Sequence, residues 1–371
     1  MNILILNWRS PKHPNAGGAE YVTLKHAARW VQAAHEVWWF SSSFKGAKGS
    51  EETQGVKIVR RGGQIFGVQI YAFFWYFFGK HSKFDLVVDQ FHGIPFFTPL
   101  YSKAGKLAFI HEVAGEVWKL NPWPKPLNLI PAALGSLFEP WIFKVFYRKT
   151  PFLTVSESTK KDLETFGILR RNIHVIHNGI EAHKLRDFSK EKLKTAIFLG
   201  ALSEDKGIYD AIKVFSEINR KDEDWQFWIV GPGTSGYVKI LKNLSKECGI
   251  INKLKIWGFV PDAKKFELLA SAHVLINPSV REGWGLVNIE ANSVGTPVIG
   301  YDVSGIKDSV KNGITGILVA KGDFRGMAEN AIKLLGNKSL YTKFQDNCKK
   351  WASKFSWEKA TSESLELIES L

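Results

Sequence analysis

The sequence predicts an α/β protein built from two doubly wound parallel sheets. Short apolar runs alternate with helical stretches along the chain, a pattern typical of parallel strands joined by helices. The runs form two series, separated by the polar stretch His177–Lys192, which lacks strand patterning. The length of 371 residues suits two domains of ordinary size. We therefore expect Rossmann-like domains at residues 1–180 and 181–354.

The predicted strands follow from the apolar runs. The first series gives strands at Asn2–Leu6, Glu36–Phe40, Val56–Arg60, Leu86–Asp89, Lys106–Ile110, Pro151–Val155 and Ile173–Ile176. The second series gives strands at Ala196–Leu199, Gln226–Val230, Leu254–Trp257, Val274–Asn277, Pro297–Gly300 and Gly316–Val319. Because no basic residue precedes the first apolar run, Met1–Asn7 is expected to be a strand rather than a signal peptide. Residues 355–371 predict an amphipathic helix capped by Ser356, which we expect to pack back on the first domain.

The composition indicates a globular protein with a basic excess. Hydrophobic residues make up 45% and charged residues 23%, which argues against disorder. The formal net charge is +14, and residues 1–182 carry 22 Lys and Arg against 13 Asp and Glu. Such an excess favours nucleic acid, phosphorylated small molecules or an anionic membrane as partners. Nucleic acid is the least favoured, because no nucleic-acid-binding module accompanies the charge.

The two cysteines bear on the compartment. Cys248 and Cys348 lie 100 residues apart, a spacing that fits neither a disulfide framework nor a zinc site. Ordinary reduced cysteines are typical of a reducing compartment, so we expect a cytoplasmic protein.

Two aromatic-rich segments in the first half allow two interpretations each. Residues 65–78 (IFGVQIYAFFWYFF) and Asn128–Lys149 are each either a buried helix or a surface helix whose apolar side enters a membrane interface. The first segment is shorter than the roughly 20 residues that span a bilayer. The second interpretation would place the protein peripherally on the inner face of the cell membrane.

The strongest motif is Val280–Gly300, VREGWGLVNIEANSVGTPVIG, which follows a predicted strand. Its glycines precede a helix predicted to start near Leu286. Glycines at a helix start let backbone N–H groups approach an anion closely, and the helix dipole favours negative charge there. A diphosphate is a suitable anion. Glu282 precedes the helix and Glu290 lies about one turn into it.

This motif resembles the E-x7-E signature of retaining glycosyltransferase family 4, whose members have the GT-B fold. Other segments resemble the family in the expected order: Gly17–Glu20, Val175–Ile180, Gly200–Gly207, Gly231–Gly233, Gly258–Pro261, Pro278–Ser279 and Phe355–Trp357. The resemblance covers essentially the whole chain. It implies two Rossmann-like domains facing across a cleft, with the acceptor held by the first and a nucleotide-sugar donor by the second.

The resemblance also implies roles for individual residues. Glu290 would bind the donor ribose, Glu282 would face the donor sugar, and Lys206 would neutralise the diphosphate leaving group. The donor-binding residues implied are Gly17, Gly18, Gly200, Lys206, Val260, Glu282, Gly283, Gly285, Leu286, Val287 and Glu290. A cation near the leaving group makes chemical sense, because negative charge develops there as the glycosidic bond breaks.

In the first half, His111 follows the predicted strand Lys106–Ile110 and so lies at a carboxyl end. The family commonly has a histidine at this point, which implies that His111 contacts the sugar and, with Glu282 and Lys206, is catalytic. Residues 15–20 (NAGGAE) follow the first strand and open a helix predicted at Tyr21. The resemblance makes this segment a donor-phosphate or acceptor loop.

One position departs from the family. The family usually has Gly-Arg where this chain has Gly200-Ala201, so the second cation expected on the diphosphate is missing. Arg281, beside Glu282, is a candidate replacement.

Two further motifs are not assigned a function. Residues 231–236 (GPGTSG) match G-x-G-x-x-G, but they follow the second strand of the second domain rather than a first strand. Residues 222–224 (DED) resemble a metal-binding D-x-D, but they precede a strand and so lie at its amino end. We therefore expect neither an essential metal nor a separate cofactor.

The predicted activity is retaining transfer of a hexose-type sugar from a UDP-, GDP- or ADP-sugar to an acceptor. The acceptor is expected to be a glycan or a lipid-linked or membrane-near molecule. Two other functions stay open. A catalytically inactive sugar-nucleotide-binding scaffold is favoured only by Ala201, and a dinucleotide-dependent oxidoreductase is disfavoured because the first strand lacks G-x-G-x-x-G.

Overall fold

A computed structural model of the chain describes residues 1–64, 67–120, 126–181 and 189–371. The chain forms two compact units, Met1–Gly179 with Trp357–Leu371, and Ile180–Ser356. These bounds lie within two residues of the predicted ones. The predicted linker His177–Lys192 includes residues 182–188, which lie outside the described residues.

The first unit is built on one sheet, and its described part holds eight strands. They are β1 (Asn2–Asn7), β2 (Glu36–Ser41), β3 (Ser50–Thr53), β4 (Val56–Arg60), β5 (Leu86–Gln90), β6 (Gly105–Ile110), β7 (Phe152–Thr154) and β8 (Ile173–Val175). The strand order is β3-β4-β2-β1-β5-β6-β7-β8. Because β1 pairs with both β2 and β5, the crossovers reverse direction there, as in a doubly wound sheet.

The first sheet has one antiparallel edge strand, β3, which the sequence did not predict. β3 pairs antiparallel with β4, whereas the other pairs of this sheet are parallel. The sequence of β3 is Ser-Glu-Glu-Thr, and none of its side chains is buried. An edge strand without apolar alternation gives no sequence signal, and its charges protect the edge from pairing with other chains.

The helices of the first unit join these strands. They are α1 (Gly18–Gln32), α2 (Gly67–Phe78), α3 (Thr98–Tyr101), α4 (Leu129–Ile142), which continues as a π-helix over Phe143–Tyr147, and α5 (Glu157–Thr165). The buried-helix interpretation of residues 65–78 is wrong for the described part, because six large apolar side chains of α2 are exposed. The remaining two residues, Ile65 and Phe66, lie outside the described residues.

The stretch Leu129–Tyr147 is likewise a surface helix. Its inner side buries Ala132, Glu139, Phe143 and Tyr147, while most of its other apolar side chains are exposed. Within the described ranges, it is the one helical stretch that is long and apolar enough, by length and composition alone, to cross a bilayer.

The second unit also centres on one sheet, with six parallel strands in its described part. They are β9 (Lys194–Leu199), β10 (Trp225–Val230), β11 (Leu254–Gly258), β12 (Val274–Asn277), β13 (Val298–Tyr301) and β14 (Gly316–Val319), in the order β11-β10-β9-β12-β13-β14. The helices are α6 (Ile208–Lys221), α7 (Ser235–Glu247), α8 (Asp262–Ser271), α9 (Leu286–Ser293), α10 (Ile306–Ser309), α11 (Phe324–Gly336) and α12 (Lys338–Ala352). Apolar cores cover both faces of the sheet, as strands with near-continuous apolar sequence require.

The C-terminal helix α13 (Trp357–Glu369) belongs to the first unit, as predicted. It packs on α1, where Nδ1 of His26 lies 2.8 Å from Oγ of Ser364 and the indole N–H of Trp30 donates to the same hydroxyl at 3.2 Å. All three side chains are buried, so these hydrogen bonds fix the position of α13 on α1.

Candidate active site

The predicted donor-site residues of the second unit, except Val260, lie at one point of its sheet. β9 and β12 are neighbours, although β12 begins 75 positions after the last residue of β9. The crossovers run in opposite directions on the two sides of this pair. Ligands of open α/β sheets bind beyond the carboxyl ends of the strands at such a point. The loops that emerge there are residues 200–207 after β9 and residues 278–285 after β12.

These two loops are in contact because a glycine lets them meet. Gly207 has a φ of 71°, and a Cβ there would lie 2.0 Å from the carbonyl oxygen of Pro278. The backbone N–H of Val280 donates to the carbonyl of Asp205 at 2.9 Å. Any side chain at position 207 would therefore separate the loops.

Lys206 and Glu282 form an ion pair where the loops meet. Nζ of Lys206 lies 2.9 Å from Oε1 of Glu282, and the hydroxyl of Ser279 donates to the same oxygen at 2.9 Å. The Lys206 side chain is 29% exposed and that of Glu282 is 14% exposed. The pair is thus shielded yet reachable by a ligand. The family resemblance implied roles for both charges but none for Ser279, although Pro278–Ser279 is one of its segments.

A helix begins beside this pair. α9 starts at Leu286, as predicted, after Gly285 with a φ of 75°. The first N–H groups of a helix have no acceptor within the helix. Those of Leu286 and Val287 can therefore donate to an anion, which the helix dipole also favours at this end. Gly283, also among the predicted residues, is buried in the preceding loop.

A buried chain of polar side chains holds the start of α9 in place. The amide of Asn277 at the end of β12 donates to Asn288 at 2.7 Å, and the amide of Asn288 donates to Ser309 of α10 at 2.9 Å. All three side chains are buried. Sequence reasoning missed this network, since nothing local marks two asparagines and a serine as partners.

Glu290 is held by a lysine that sequence reasoning also missed. Nζ of Lys265, on α8, lies 2.7 Å from Oε1 of Glu290 and 3.1 Å from Asp262. Burial acts to lower the pKa of Lys265, but the two carboxylates outweigh it and leave that pKa raised. Lys265 is therefore firmly protonated, and it fixes the Glu290 carboxylate at the face of α9.

The departure from the family pattern lies in the loop after β9. Gly200 passes close to Gly231, where a Cβ would lie 1.8 Å from the Gly200 carbonyl oxygen. Ala201 next to it is exposed, so the position has room for a longer side chain. Arg281 adjoins Val280, whose backbone N–H is bonded to Asp205. Arg281 therefore belongs to the loop that contacts residues 205–207.

Val260, the remaining predicted donor residue of this unit, follows β11 and is partly buried against the apolar core.

The other predicted residues, Gly17, Gly18 and His111, belong to the first unit. α1 begins at Gly18, so the predicted start at Tyr21 is three residues too late. The reason is a capping interaction: the buried Glu20 carboxylate accepts a hydrogen bond from the N–H of Gly17 at 2.7 Å. The carboxylate thereby already supplies negative charge at this helix end.

His111 follows β6 directly, as predicted, and is held in a defined orientation. The side-chain amide of Gln90 donates to Nε2 of His111 at 3.1 Å, and Thr23 donates to the Gln90 carbonyl oxygen at 2.8 Å. Burial, with the nearby His26 and His92, lowers the pKa of His111 to about 3. The ring is therefore neutral at physiological pH, with its proton on Nδ1.

The motifs set aside in the sequence have structural roles. Asp222 accepts hydrogen bonds from Lys194 at 2.6 Å and from the indole of Trp225 at 3.0 Å, which ties the start of β10 to β9. In the G-x-G-x-x-G segment, Thr234 caps α7 by accepting from the N–H of Tyr237. In the part of the chain that the structure describes, no group of three or more His, Cys, Asp or Glu side chains is arranged to hold a metal ion.

Two family models match successive parts of the chain. The model described as Glycosyltransferase Family 4 matches residues 16–184, and the model described as Glycosyl transferases group 1 matches residues 180–351. The chain belongs to glycosyltransferase family 4. The second match includes the loops around Lys206 and Glu282 and the Asn277–Asn288–Ser309 network.

Solved structures show that the fold is GT-B. Sucrose-phosphate synthase from Thermosynechococcus elongatus superposes with a TM-score of 0.81 at 16% identity, covering 100% of this chain and 98% of that one. Anabaena HepE in complex with UDP and glucose superposes with a TM-score of 0.72 at 18% identity, covering 100% of both chains.

Among curated proteins, the capsular polysaccharide biosynthesis glycosyltransferase CapM of Staphylococcus aureus is 29% identical over 248 residues. That match covers 57% of this family 4 chain and 60% of CapM. The chain spans between about half and three-fifths of the length of the first curated relatives it matches.

Proposed function

We propose that this protein is a retaining glycosyltransferase that moves a hexose-type sugar from a nucleotide-diphosphate sugar to an acceptor, without a metal ion. The observation that carries the proposal is the Lys206–Glu282 ion pair at the switch point of the second sheet, directly beside the start of α9. A cation and a helix N-terminus stabilise a diphosphate, and a carboxylate accepts hydrogen bonds from the hydroxyls of the attached sugar.

The chemistry assigned to these residues concerns the leaving group. As the bond between the anomeric carbon and the diphosphate breaks, its electron pair stays on the phosphate oxygen. The ammonium of Lys206 and the N–H groups of Leu286 and Val287 stabilise that charge. An acceptor hydroxyl oxygen then bonds to the anomeric carbon and passes its proton to the phosphate oxygen of the leaving group. Retention is proposed from family membership, and no carboxylate is assigned as a covalent nucleophile.

The remaining residues bind and orient. Glu290, held by Lys265, accepts hydrogen bonds from the ribose hydroxyls of the donor. Glu282 faces the transferred sugar. His111 is proposed as a further sugar contact, and its Nδ1–H is the donor available for a hydroxyl because Gln90 already occupies Nε2. No separate cofactor takes part in this scheme.

The comparisons suggest which substrates to test first. HepE is described in complex with UDP and glucose, which makes UDP-glucose the first donor to try. CapM is named for capsular polysaccharide biosynthesis, which supports a glycan as the acceptor. A membrane-near acceptor would fit a cytoplasmic enzyme that associates peripherally with the inner face of the cell membrane.

The first experiment is a thermal-shift screen with UDP-, GDP- and ADP-sugars in the presence of EDTA. A ligand at 100 times its Kd adds about 2.7 kcal/mol of stability, which raises Tm by a few degrees. We expect one nucleotide class to stabilise the protein, and Glu290→Ala to abolish the shift. Glu267→Ala is the matched control, because Glu267 lies on the same helix α8, is half-buried and pairs with Lys264 instead of Lys265.

Turnover tests the rest of the proposal. With the stabilising donor, NMR of the product should show the anomeric configuration of the donor retained. Inversion would exclude the retaining mechanism. A folded protein that responds to none of the donors would favour the inactive scaffold instead, and Ala201 would then be the position to restore.

A further inference from the structure

The first unit carries an apolar surface out of proportion to the rest of the molecule. In the described ranges, 16 of the 23 exposed large apolar side chains fall between Ile70 and Val145. The most exposed on α2 is Phe78 at 80%, and the most exposed on α4 is Leu137 at 68%. Soluble monomers rarely expose apolar patches of this extent unless the patch binds something.

The exposed residues have helical spacing. On α2 they are Ile70, Tyr71, Phe73, Phe74, Phe77 and Phe78, and on the Leu129–Tyr147 stretch they are Leu129, Ile130, Leu134, Leu137, Phe138, Trp141 and Val145. These positions recur at intervals of three and four residues, so each helix presents one apolar side outward. We call these two sides, with α3 between them, the docking surface.

Ring contacts join the parts of the docking surface. On one side, Phe73 of α2 lies 5.1 Å from Tyr101 of α3, measured between ring centroids. On the other side, Phe97, which precedes α3, lies 5.7 Å from Phe146, and Phe146 lies 5.6 Å from Trp141. α2, α3 and α4 therefore form one continuous surface rather than separate patches.

Basic residues outnumber acidic residues around the docking surface. Among the described residues of α2, α3 and the Leu129–Tyr147 stretch, the one acidic side chain is Glu139, which is buried. Basic residues lie on and beside the surface: Lys80, Lys83, Lys103, Lys106, Lys144, Arg148 and Lys149. A rim of this kind is complementary to a negatively charged layer.

A pocket at the edge of the docking surface gathers four of these basic residues. It has a volume of about 640 Å³ and is lined by Lys106, Lys144, Arg148 and Lys149, with the apolar Val145, Phe146 and Leu371 beside them. An anion with an apolar attachment fits such a lining. The headgroup phosphate of a phospholipid has that chemistry.

Contacts on the inner side of the Leu129–Tyr147 stretch determine how this helix can be oriented relative to a bilayer. The carboxylate of Glu139 accepts hydrogen bonds from the N–H groups of Ala114 and Gly115 and from the indole of Trp118, at 2.7, 3.0 and 3.0 Å. Phe143 and Tyr147 are buried in the core of the first unit. Because this side is bound to protein, the helix lies along a surface instead of crossing the bilayer.

We propose that the docking surface binds the interface of an anionic phospholipid bilayer, with the basic pocket receiving a lipid headgroup phosphate. Aromatic rings suit this depth, since they combine apolar bulk with tolerance of the headgroup region. The inference rests on the peripheral membrane association named in the proposed function and deepens it by naming the surface and the lipid chemistry. Its vesicle test does not depend on the donor, the acceptor or the stereochemistry of transfer.

The test is sedimentation of the full chain with vesicles. One set is phosphatidylcholine alone, and the other contains about one part phosphatidylglycerol to three parts phosphatidylcholine. We expect strong binding to the second set, weak binding to the first, and a loss of binding as salt is raised. Equal binding to both sets, or none to either at low salt, would overturn the proposal.

Two double variants separate the apolar and basic contributions. Phe78→Ser with Leu137→Ser, and Lys144→Glu with Arg148→Glu, should each weaken binding by at least about tenfold. The matched controls lie on α7 of the second unit: Ile240→Ser, and Lys239→Glu with Lys242→Glu, all at exposed positions. Each variant replaces exposed side chains, so an unchanged Tm is expected and would show that folding is intact.

Hydrogen–deuterium exchange then locates the contact. Vesicles containing phosphatidylglycerol should protect peptides from α2 and α4 and leave those from α7 unchanged. Equal loss of binding in the α7 controls would mean a non-specific interaction and would contradict the proposal. A dimer that dissociates in the Phe78→Ser/Leu137→Ser variant, with no vesicle binding, would assign the surface to a second copy of the chain.

Discussion

The ammonium of Lys206 lies 2.9 Å from the carboxylate of Glu282, although 76 positions separate the two residues in sequence. Gly207 makes this pairing possible, because it lets the loop after β9 pass against Pro278. Each residue therefore holds the other in position. A bound diphosphate would meet a cation that is already oriented.

We predict that Lys206→Ala lowers kcat by about 100-fold to 1000-fold, the loss typical of a removed oxyanion-stabilising group. The physical reason is that the leaving phosphate loses the cation nearest to its developing charge. Steady-state kinetics with the donor that stabilises the protein in the thermal-shift screen would measure the loss. Lys213→Ala is the control, since Lys213 lies on α6 in an exposed pair with Asp210.

The exchanged pair Lys206→Glu/Glu282→Lys distinguishes catalysis from structure. It restores an ion pair, so we expect it to recover most of the stability that either single exchange loses. We do not expect it to recover activity, because the cation would then stand at position 282. Activity near the wild-type value in the exchanged variant would contradict the role assigned to Lys206.

A second prediction concerns Lys265, which holds Glu290 at 2.7 Å. Lys265→Ala leaves a partly buried carboxylate without its cation, so Glu290 loses its fixed orientation. We expect nucleotide affinity, measured by isothermal titration calorimetry, to fall by about tenfold, equivalent to roughly 1.4 kcal/mol. Lys264→Ala is the adjacent control, because Lys264 pairs with the more exposed Glu267. Equal affinities in the two variants would show that Lys265 does not position Glu290.

The sequence predicted the fold well because its signals are local. Apolar runs mark the parallel strands, and the Val280–Gly300 motif places Glu282 and Glu290 at the end of β12 without reference to distant residues. The same locality explains the failures. β3 contains no apolar residue, so no pattern predicts it. α1 begins at Gly18 instead of Tyr21 because the Glu20 carboxylate accepts a hydrogen bond from the N–H of Gly17.

The candidate site was predictable only in part, for a related reason. Lys265 lies 25 positions before Glu290, and the residues around it look like those of any exposed helix. Only the packing of α8 beside α9 brings the two together. Ser309 is joined to Asn288 in the same way, through tertiary structure. Residues that orient a site from another element leave no local pattern in a single sequence.

A third prediction addresses the position where this chain departs from its family. Ala201 is exposed in the loop after Gly200, so an arginine can be accommodated there without disturbing the core. We expect Ala201→Arg to tighten donor binding by about tenfold, because a surface arginine on a diphosphate contributes a charge-assisted hydrogen bond of about 1.5 kcal/mol. Calorimetry with the intact donor would measure it. Unchanged affinity would mean that the diphosphate does not lie against this loop.

A fourth prediction concerns acid stability and the C-terminal helix. Burial lowers the pKa of His26 to about 4, from an ordinary value of 6.5. Between these pH values the unfolded chain binds the proton and the folded chain does not. The free energy of unfolding should therefore be fully retained above pH 6.5 and fall as the pH drops towards 4, by about 3 kcal/mol for this residue.

The variant His26→Gln isolates that contribution. His111 and His273 have pKa values lowered to about 3 and about 4, so they add to the acid sensitivity of both proteins. The difference between the wild type and His26→Gln is the quantity to measure, by urea unfolding at a series of pH values. Parallel curves for the two proteins would show that His26 does not titrate on unfolding.

The last prediction concerns Glu139, which connects α4 to the loop that follows His111. Its buried carboxylate accepts three hydrogen bonds from residues 114–118. Glu139→Ala removes the acceptor for all three donors, and each buried donor left without a partner costs about 1–3 kcal/mol. We expect the free energy of unfolding to fall by about 3 kcal/mol, with faster hydrogen–deuterium exchange in residues 114–118.

Glu139→Gln keeps one carbonyl oxygen as an acceptor, so it should lose about half as much stability. Ser136→Ala, at an exposed position on the same helix, is the control and should change neither measurement. Since the loop begins at His111, both Glu139 variants should also lower turnover, and Glu139→Ala should lower it more. Normal exchange in residues 114–118 of Glu139→Ala would mean that other contacts hold the loop, and the link between α4 and His111 would then be absent.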